Sequence, residues 1–251
     1  MLTVVILTKN SSDTIEQCLE SVKWCKDIVI VDSFSTDNTS EICKKFTDKI
    51  HQNTYTCYGN QLNWALRKIE SEWILVVDSD EEVSEKLQDE IKNLFEKGNP
   101  SLDGYYISRK SKFLGKWIYH SGWYPDYVLR LFKREKTYYK KRKLGSSAIV
   151  QGKTGSLKGE ILHYPYRDLG HYLQKFSRYT LLSAEQMYDE GERTTALGIG
   201  FKPILRFIKD YIFRLGFLDG KQGFIICKLS YYYVFMKYAR LWEIQREKST
   251  K

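Results

Sequence analysis

Trp73-Ile74-Leu75-Val76-Val77-Asp78-Ser79-Asp80 decides how this chain folds. An apolar run of that length, rich in β-branched residues, reads as a buried strand. The two aspartates at its exit, one residue apart, point the same way along an extended chain. They form a grip for a divalent cation, which takes hard oxygen ligands and usually shares its shell with substrate phosphates. Aspartates at a strand end also serve as plain solvated turn residues. The surrounding sequence decides between the two.

Leu2–Thr8 is a second buried-strand run, and Ser12-Asp13 precede a helical pattern carrying Ile15, Leu19 and Val22. Asp27–Asp32 gives a third strand, followed by the polar loop Ser33 to Thr39. Strand, helix and strand within so short a stretch make a βαβ unit with parallel strands. In open parallel sheets ligands sit at the carboxyl ends of the strands. Thr8, Asp32 and Asp78 fall at such ends and converge on one crevice. Neither a GxGxxG after the first strand nor a GxxxxGK[ST] motif is present, so a nucleotide is held without either device.

Val4-Val-Ile-Leu-Thr-Lys-Asn10, Val31-Asp-Ser-Phe-Ser-Thr-Asp-Asn-Thr39 and Trp73–Glu81 resemble the landmarks of family 2 glycosyltransferases with a GT-A fold. Gly122-Trp-Tyr-Pro-Asp-Tyr-Val-Leu-Arg-Leu-Phe132, Leu162-His-Tyr164 and Gly216-Phe-Leu-Asp-Gly-Lys-Gln-Gly-Phe224 resemble the branch that extends the inner core of bacterial lipopolysaccharide or lipooligosaccharide, often as β-1,4-glucosyltransferases. The resemblance implies an α/β architecture: a Rossmann-like, mixed, mostly parallel sheet flanked by helices, with a helical C-terminal extension. Residues 1–100 are expected to form the nucleotide-sugar half, 101–165 the acceptor half and 166–251 the extension.

It also implies roles. Thr8, Asn10 and Asp32 hold the nucleotide, and Asp80 ligates Mn²⁺ or Mg²⁺, with Asp78 on the ribose or the metal. Arg130 answers the diphosphate or orders Asp126. Gln61 and Asn63 reach the donor sugar or phosphate, or simply cap the helix that begins near Gly59. Trp123 and Tyr124 stack on the acceptor sugar, or Trp123 is a satellite core residue. His163 is a second metal contact or a hydrogen-bonded core histidine. The chemistry implied is one inverting displacement on a UDP-sugar, with a carboxylate as general base. Asp126 is the foremost candidate, with Glu81 and Glu160 behind it. The branch's His-Glu pair is replaced here by Gly145 and Ser146, which puts the acceptor in question.

Composition agrees. With 251 residues and four prolines the chain has room for a full α/β core. The five cysteines form no CxxC and no zinc spacing, which suggests reduced thiols in the cytoplasm. Lys/Arg against Asp/Glu number 11 to 18 in residues 1–100, 18 to 9 in 101–200 and 11 to 4 in 201–251. The basic half therefore attracts polyanions. Residues 201–218 place Phe201, Ile204-Leu205, Phe207-Ile208, Tyr211-Ile212 and Leu215 at helical spacing among Lys202, Arg206, Lys209 and Arg214, as in a basic amphipathic helix. That pattern suits an anionic membrane surface or ordinary packing. The expected partners are a UDP-sugar, a lipid-anchored saccharide and the inner face of the cell membrane. A protein or polyprenyl-linked acceptor is the rival enzyme reading. A basic nucleic-acid-binding module is the non-enzyme rival, disfavoured because carboxylates line the cleft.

Overall fold

The computed structural model describes residues 1–249, which gather into two compact units. The first comprises Met1–Lys110 and Asp126–Tyr164; the second comprises Ser111–Pro125 and the described residues from Pro165 onward. The strands are β1 (Leu2–Thr8), β2 (Ile28–Asp32), β3 (Ile50–Gln52), β4 (Trp73–Asp78), β5 (Glu81–Val83), β6 (Gly104–Phe113), β7 (Lys116–Trp117), β8 (Asp126–Lys133), β9 (Thr137–Tyr139), β10 (Ala148–Val150) and β11 (Thr154–His163). Their order in the main sheet is β3-β2-β1-β4-β8-β6-β11-β5. The run β3-β2-β1-β4 is parallel; β8 then pairs antiparallel with β4 and β6, and β11 with β5. The sheet is thus mixed.

The first unit also carries helices α1 (Ile15–Val22), α2 (Thr39–Cys43), α3 (Tyr58–Leu66) and α4 (Glu85–Glu96). Side chains alternate strictly between two cores. Val4, Ile6, Ile28, Ile30, Trp73, Leu75 and Val77 pack with Ile15 and Leu19 of α1 and Leu87 and Ile91 of α4. Val5, Val29, Val31, Ile74 and Val76 pack with Leu62 and Ala65 of α3. Burial on both faces is why these strands read as continuous apolar runs rather than alternating ones. Each fully buried side chain of this kind contributes about 1.5–3 kcal/mol. Among this apolar surface lies one polar knot: the Thr3 hydroxyl reaches the Asp27 carboxylate and, at 2.7 Å, Ser71 Oγ.

The second unit contains α5 (Leu169–Asp189), α6 (Ala196–Ile208) and α7 (Gly220–Ser249). The single helical face expected over 201–218 is not continuous. After α6 the chain forms a π-type turn at Lys209–Phe213 and a 3₁₀ turn at Gly216–Asp219, with Leu215 at φ 54° between them. Across this break the Asp210 carboxylate is fully buried and receives Arg206, and Arg214 Nη1 at 3.1 Å.

Residues 111–125, expected from the sequence in the acceptor half, cluster with the helices, where Phe113 and Ile118 share an apolar core with Tyr172 and Ile226. Among the described residues, no helix is long and apolar enough to cross a membrane.

Ser84 caps α4 by accepting Leu87 N at 3.3 Å, and the helix lies hard against Gly159 of β11. A Cβ at Gly159 would come within 2.6 Å of Leu87 N. Gly159→Ala is expected to cost about 1–3 kcal/mol through overpacking, read as a lower denaturant midpoint at unchanged m-value.

Candidate active site

β4 ends at Asp78, and a tight turn brings Glu81 back so that its Oε2 accepts the Asp78 amide at 2.9 Å. Glu81 is 1% exposed. Such a carboxylate needs a buried partner, and Arg130 of β8 supplies it. Arg130 Nη2 lies 2.7 Å from Glu81 Oε1 and 2.5 Å from Asp78 Oδ2, while Nη1 donates to the Tyr58 hydroxyl at 2.6 Å. Tyr58 in turn donates to Asp78 Oδ1 at 2.9 Å. Burial works against the Arg130 charge, yet the Asp78 and Glu81 carboxylates overcome it and raise its pKa well above the ordinary value. Burial likewise pushes the Tyr58 phenol well up, so it stays a donor.

This arrangement revises one expectation. Arg130 does not pair with Asp126; Arg109 of β6 does, through Nε at 2.9 Å and Nη2 at 2.6 Å, both to Oδ2. Asp126 opens β8, in register with Arg109. Glu81, a reserve candidate for the base, is buried and held by Arg130, by Arg109 Nη1 at 3.3 Å and by the Asp78 amide. Glu160, the other reserve, faces Lys110 at 3.9 Å.

Both oxygens of Asp78 accept from protein donors, so the outer member of the pair is Asp80. His163, brought alongside by the register of β11 on β5, places Nε2 3.7 Å from Asp80 Oδ2. Among the described residues no three His, Cys, Asp or Glu side chains form a complete metal cage. Asp80 with His163 suits a cation that completes its shell with phosphate oxygens and water, as Mg²⁺ and Mn²⁺ do. Asp78, Asp80, Glu81 and Asp126 outnumber the two guanidiniums, leaving a negative surplus that favours such an ion. Next to them Tyr164 donates to Glu82 at 2.9 Å; burial and that carboxylate push its phenol up to about 12.

The β1 and β2 ends form the other wall. Thr8 is 4% exposed, and its hydroxyl has no hydrogen-bond partner among the described residues. An orphaned buried hydroxyl costs free energy unless something completes it. Asp32 accepts Ser35 N at 2.9 Å and Ser35 Oγ at 2.5 Å, and Asn10 Oδ1 accepts Thr36 N at 2.8 Å. Asp37 ties down the far end of the loop. Desolvation would raise its pKa, but Thr39 and Ser12 donate to it and hold it at about 2. Phe34, unnoticed in the sequence, sits on this loop 48% exposed with φ 60°.

Gln61 and Asn63, read as donor contacts, are engaged internally. Gln61 is buried and bonds Asn53 and Ser33. Asn63 takes both backbone groups of Tyr139, at 2.8 and 2.9 Å. Trp123, offered for sugar stacking, packs edge-on against Phe113 in the second unit's core, whereas Tyr124 stands edge-on to Tyr119 beside a surface groove. The residues that sequence reading missed are Arg109 and Tyr58. An arginine on the same strand face as buried Ile107 was the available signal for the first.

The model of glycosyl transferase family 2 matches residues 3–159, and the chain belongs to that family. It is 26% identical over 255 residues to the lipopolysaccharide core biosynthesis glycosyltransferase LpsC of Rhizobium meliloti (strain 1021), covering 96% of this chain and 92% of that protein. An uncharacterized glycosyltransferase of Rickettsia prowazekii, RP128, is 26% identical over 96% of this chain and 86% of its own length. Among solved structures, S. aureus TarS 1-349 in complex with UDP-GlcNAc superposes with a TM-score of 0.53 at 17% identity, over 98% of this chain and 92% of that one. The mannosyltransferase PcManGT of Pyrobaculum calidifontis, in complex with GDP-Man and Mn²⁺, gives 0.58 at 13% identity, over 96% and 86%. The fold is GT-A and the protein is a glycosyltransferase.

Arg130→Met removes the one cation shared by Asp78 and Glu81. Stranding a buried carboxylate is expected to cost about 3–5 kcal/mol, measured by chemical denaturation. Asn63→Ala is expected to lose about 1–3 kcal/mol for the two unpaired Tyr139 backbone groups.

Proposed function

We propose that this glycosyltransferase moves a sugar, glucose in our reading, from a UDP-sugar to a lipopolysaccharide or lipooligosaccharide core, with inversion at the anomeric carbon. The observation that carries the reading is the division of labour among carboxylates. Asp78 and Glu81 are locked by Arg130, Asp80 stands beside His163, and Asp126 is held by Arg109 through one oxygen only. LpsC, named for lipopolysaccharide core biosynthesis, supports the acceptor class.

In this mechanism Thr8, Asp32 and the loop after β2 seat the nucleoside. Asp80 and His163 would hold Mn²⁺ or Mg²⁺, and such an ion would supply Lewis-acid neutralisation of charge on a leaving diphosphate. Arg109 fixes the Asp126 carboxylate by Oδ2, and Oδ1 takes the proton from the acceptor hydroxyl as it attacks. A single displacement converts an α-linked donor into a β-linked product. Tyr124 contributes to acceptor recognition in this reading, while Trp123 supports its loop. The protein works at the cytoplasmic face of the cell membrane. Supporting this, residues 196–229 carry six Lys or Arg and only two acidic residues, Asp210 and Asp219, both buried. Exposed apolar side chains lie among those charges.

Asp80→Ala is expected to abolish Mn²⁺-dependent UDP binding in titration calorimetry without loss of fold; unchanged affinity would refute the metal role. Asp126→Asn should retain UDP and metal affinity while transfer falls by roughly 10²–10⁴-fold, the range for loss of a general base. Near-wild-type transfer by that variant would exclude Asp126.

A further inference from the structure

Asp219, in the Gly216–Gly220 turn, is 2% exposed, and its carboxylate organises residues 116–122 of the same unit. It accepts the Tyr119 amide at 3.2 Å, the His120 amide at 2.9 Å and His120 Nδ1 at 3.2 Å, while its backbone carbonyl accepts Lys116 Nζ at 2.8 Å. With Nδ1 engaged, the ring's remaining polar atom is Nε2. Ser121, at φ 61°, donates its amide to the Arg214 carbonyl at 3.0 Å. Gly122, at φ 73°, leaves room that a Cβ would take from the Arg214 side chain. Arg214 is therefore laid along the loop rather than left to wander. Its Nη1 is engaged by Asp210, and its other guanidinium nitrogens remain for a ligand.

Tyr119, His120, Tyr124, Phe213, Arg214 and Leu215 line a groove of about 320 Å³. Around it three permanent cations, Lys116, Arg206 and Arg214, meet two carboxylates, Asp210 and Asp219. The surplus is positive. Beside it stand apolar side chains turned to solvent: Phe213 is 77% exposed, with Leu215, Phe217 and Leu218 each above 40%. Along α6, Leu197, Phe201, Leu205 and Ile208 are likewise exposed.

We propose that this groove is a binding site for the terminal phosphate of a membrane lipid, a phosphomonoester headgroup, with the apolar side chains entering the acyl boundary around it. A monoester offers three terminal oxygens and more than one negative charge near neutral pH, matched by the Arg214 fork and His120 Nε2. The apolar rim selects a lipid-borne phosphate over a free one, because a soluble anion gains nothing from it. The inference rests on the membrane reading above.

Sedimentation with phosphatidylcholine vesicles doped with phosphatidic acid, against vesicles matched in surface charge with phosphatidylglycerol, tests it. The intact protein is expected to bind the monoester vesicles about tenfold more tightly. Arg214→Gln and, separately, His120→Asn should abolish that preference while UDP binding, which reports a folded protein, is unchanged. The double variant Phe213→Ser, Leu218→Ser should weaken both lipids alike and keep the preference. If that variant binds vesicles as well as the intact protein, the membrane reading itself fails. Equal binding of the two lipids by the intact protein, or a preference that survives in both groove variants, overturns the site. Loss of vesicle binding on adding millimolar inorganic phosphate at constant ionic strength would mean a soluble anion is the ligand, and overturns it as well.

Discussion

The buried guanidinium of Arg130 is the interaction on which the site depends. It is 5% exposed and contacts Asp78, Glu81 and Tyr58 together. A charge so far from water persists only where opposite charge and hydrogen bonds surround it. Arg130 comes from β8 and its partners from β4, from β5 and from α3. It therefore joins the parallel part of the sheet to the antiparallel part at the point where ligands are expected. Asp80, the residue left facing outward, owes its setting to this lock on its neighbours.

Arg109 extends the same network. It bridges Glu81 at 3.3 Å and Asp126 at 2.6 Å, so the carboxylate proposed as base is linked through two arginines to the carboxylates of the β4 turn. Fixing a reactive group through a rigid network keeps it oriented without cost at the moment of reaction. The loop of Asp32, Ser35 and Asp37 is built on the same plan, with local hydrogen bonds replacing ion pairs.

Much of this was legible in the sequence, for identifiable reasons. β1, β2 and β4 announce themselves because strands buried on both faces are continuous apolar runs. Asp80 and His163 were legible as a pair only through family resemblance, since their approach depends on the register of β11 against β5. Gln61 and Asn63 misled because an amide looks the same whether it meets ligand or backbone. Arg130 misled because spacing of four suggested Asp126, whereas alternation and a register irregularity near Tyr106 hand that carboxylate to Arg109. The fate of residues 111–125 was hidden for another reason. Their partners Tyr172 and Ile226 lie far along the chain, and no local pattern encodes such packing.

The polar knot of Thr3, Asp27 and Ser71 carries a consequence for how the chain finds its fold. A strand buried on one face is held in register because a one-residue slip turns its apolar side chains to water. β1 and β4 have no such safeguard, since both of their faces are apolar and a slip exposes nothing. Thr3 lies inside β1, and Asp27 and Ser71 lie just before β2 and β4. A slip there would part the buried Thr3 and Ser71 hydroxyls from each other and from Asp27. Alignment of three otherwise interchangeable strands is thus written in three small polar residues at the end of the sheet opposite the chemistry.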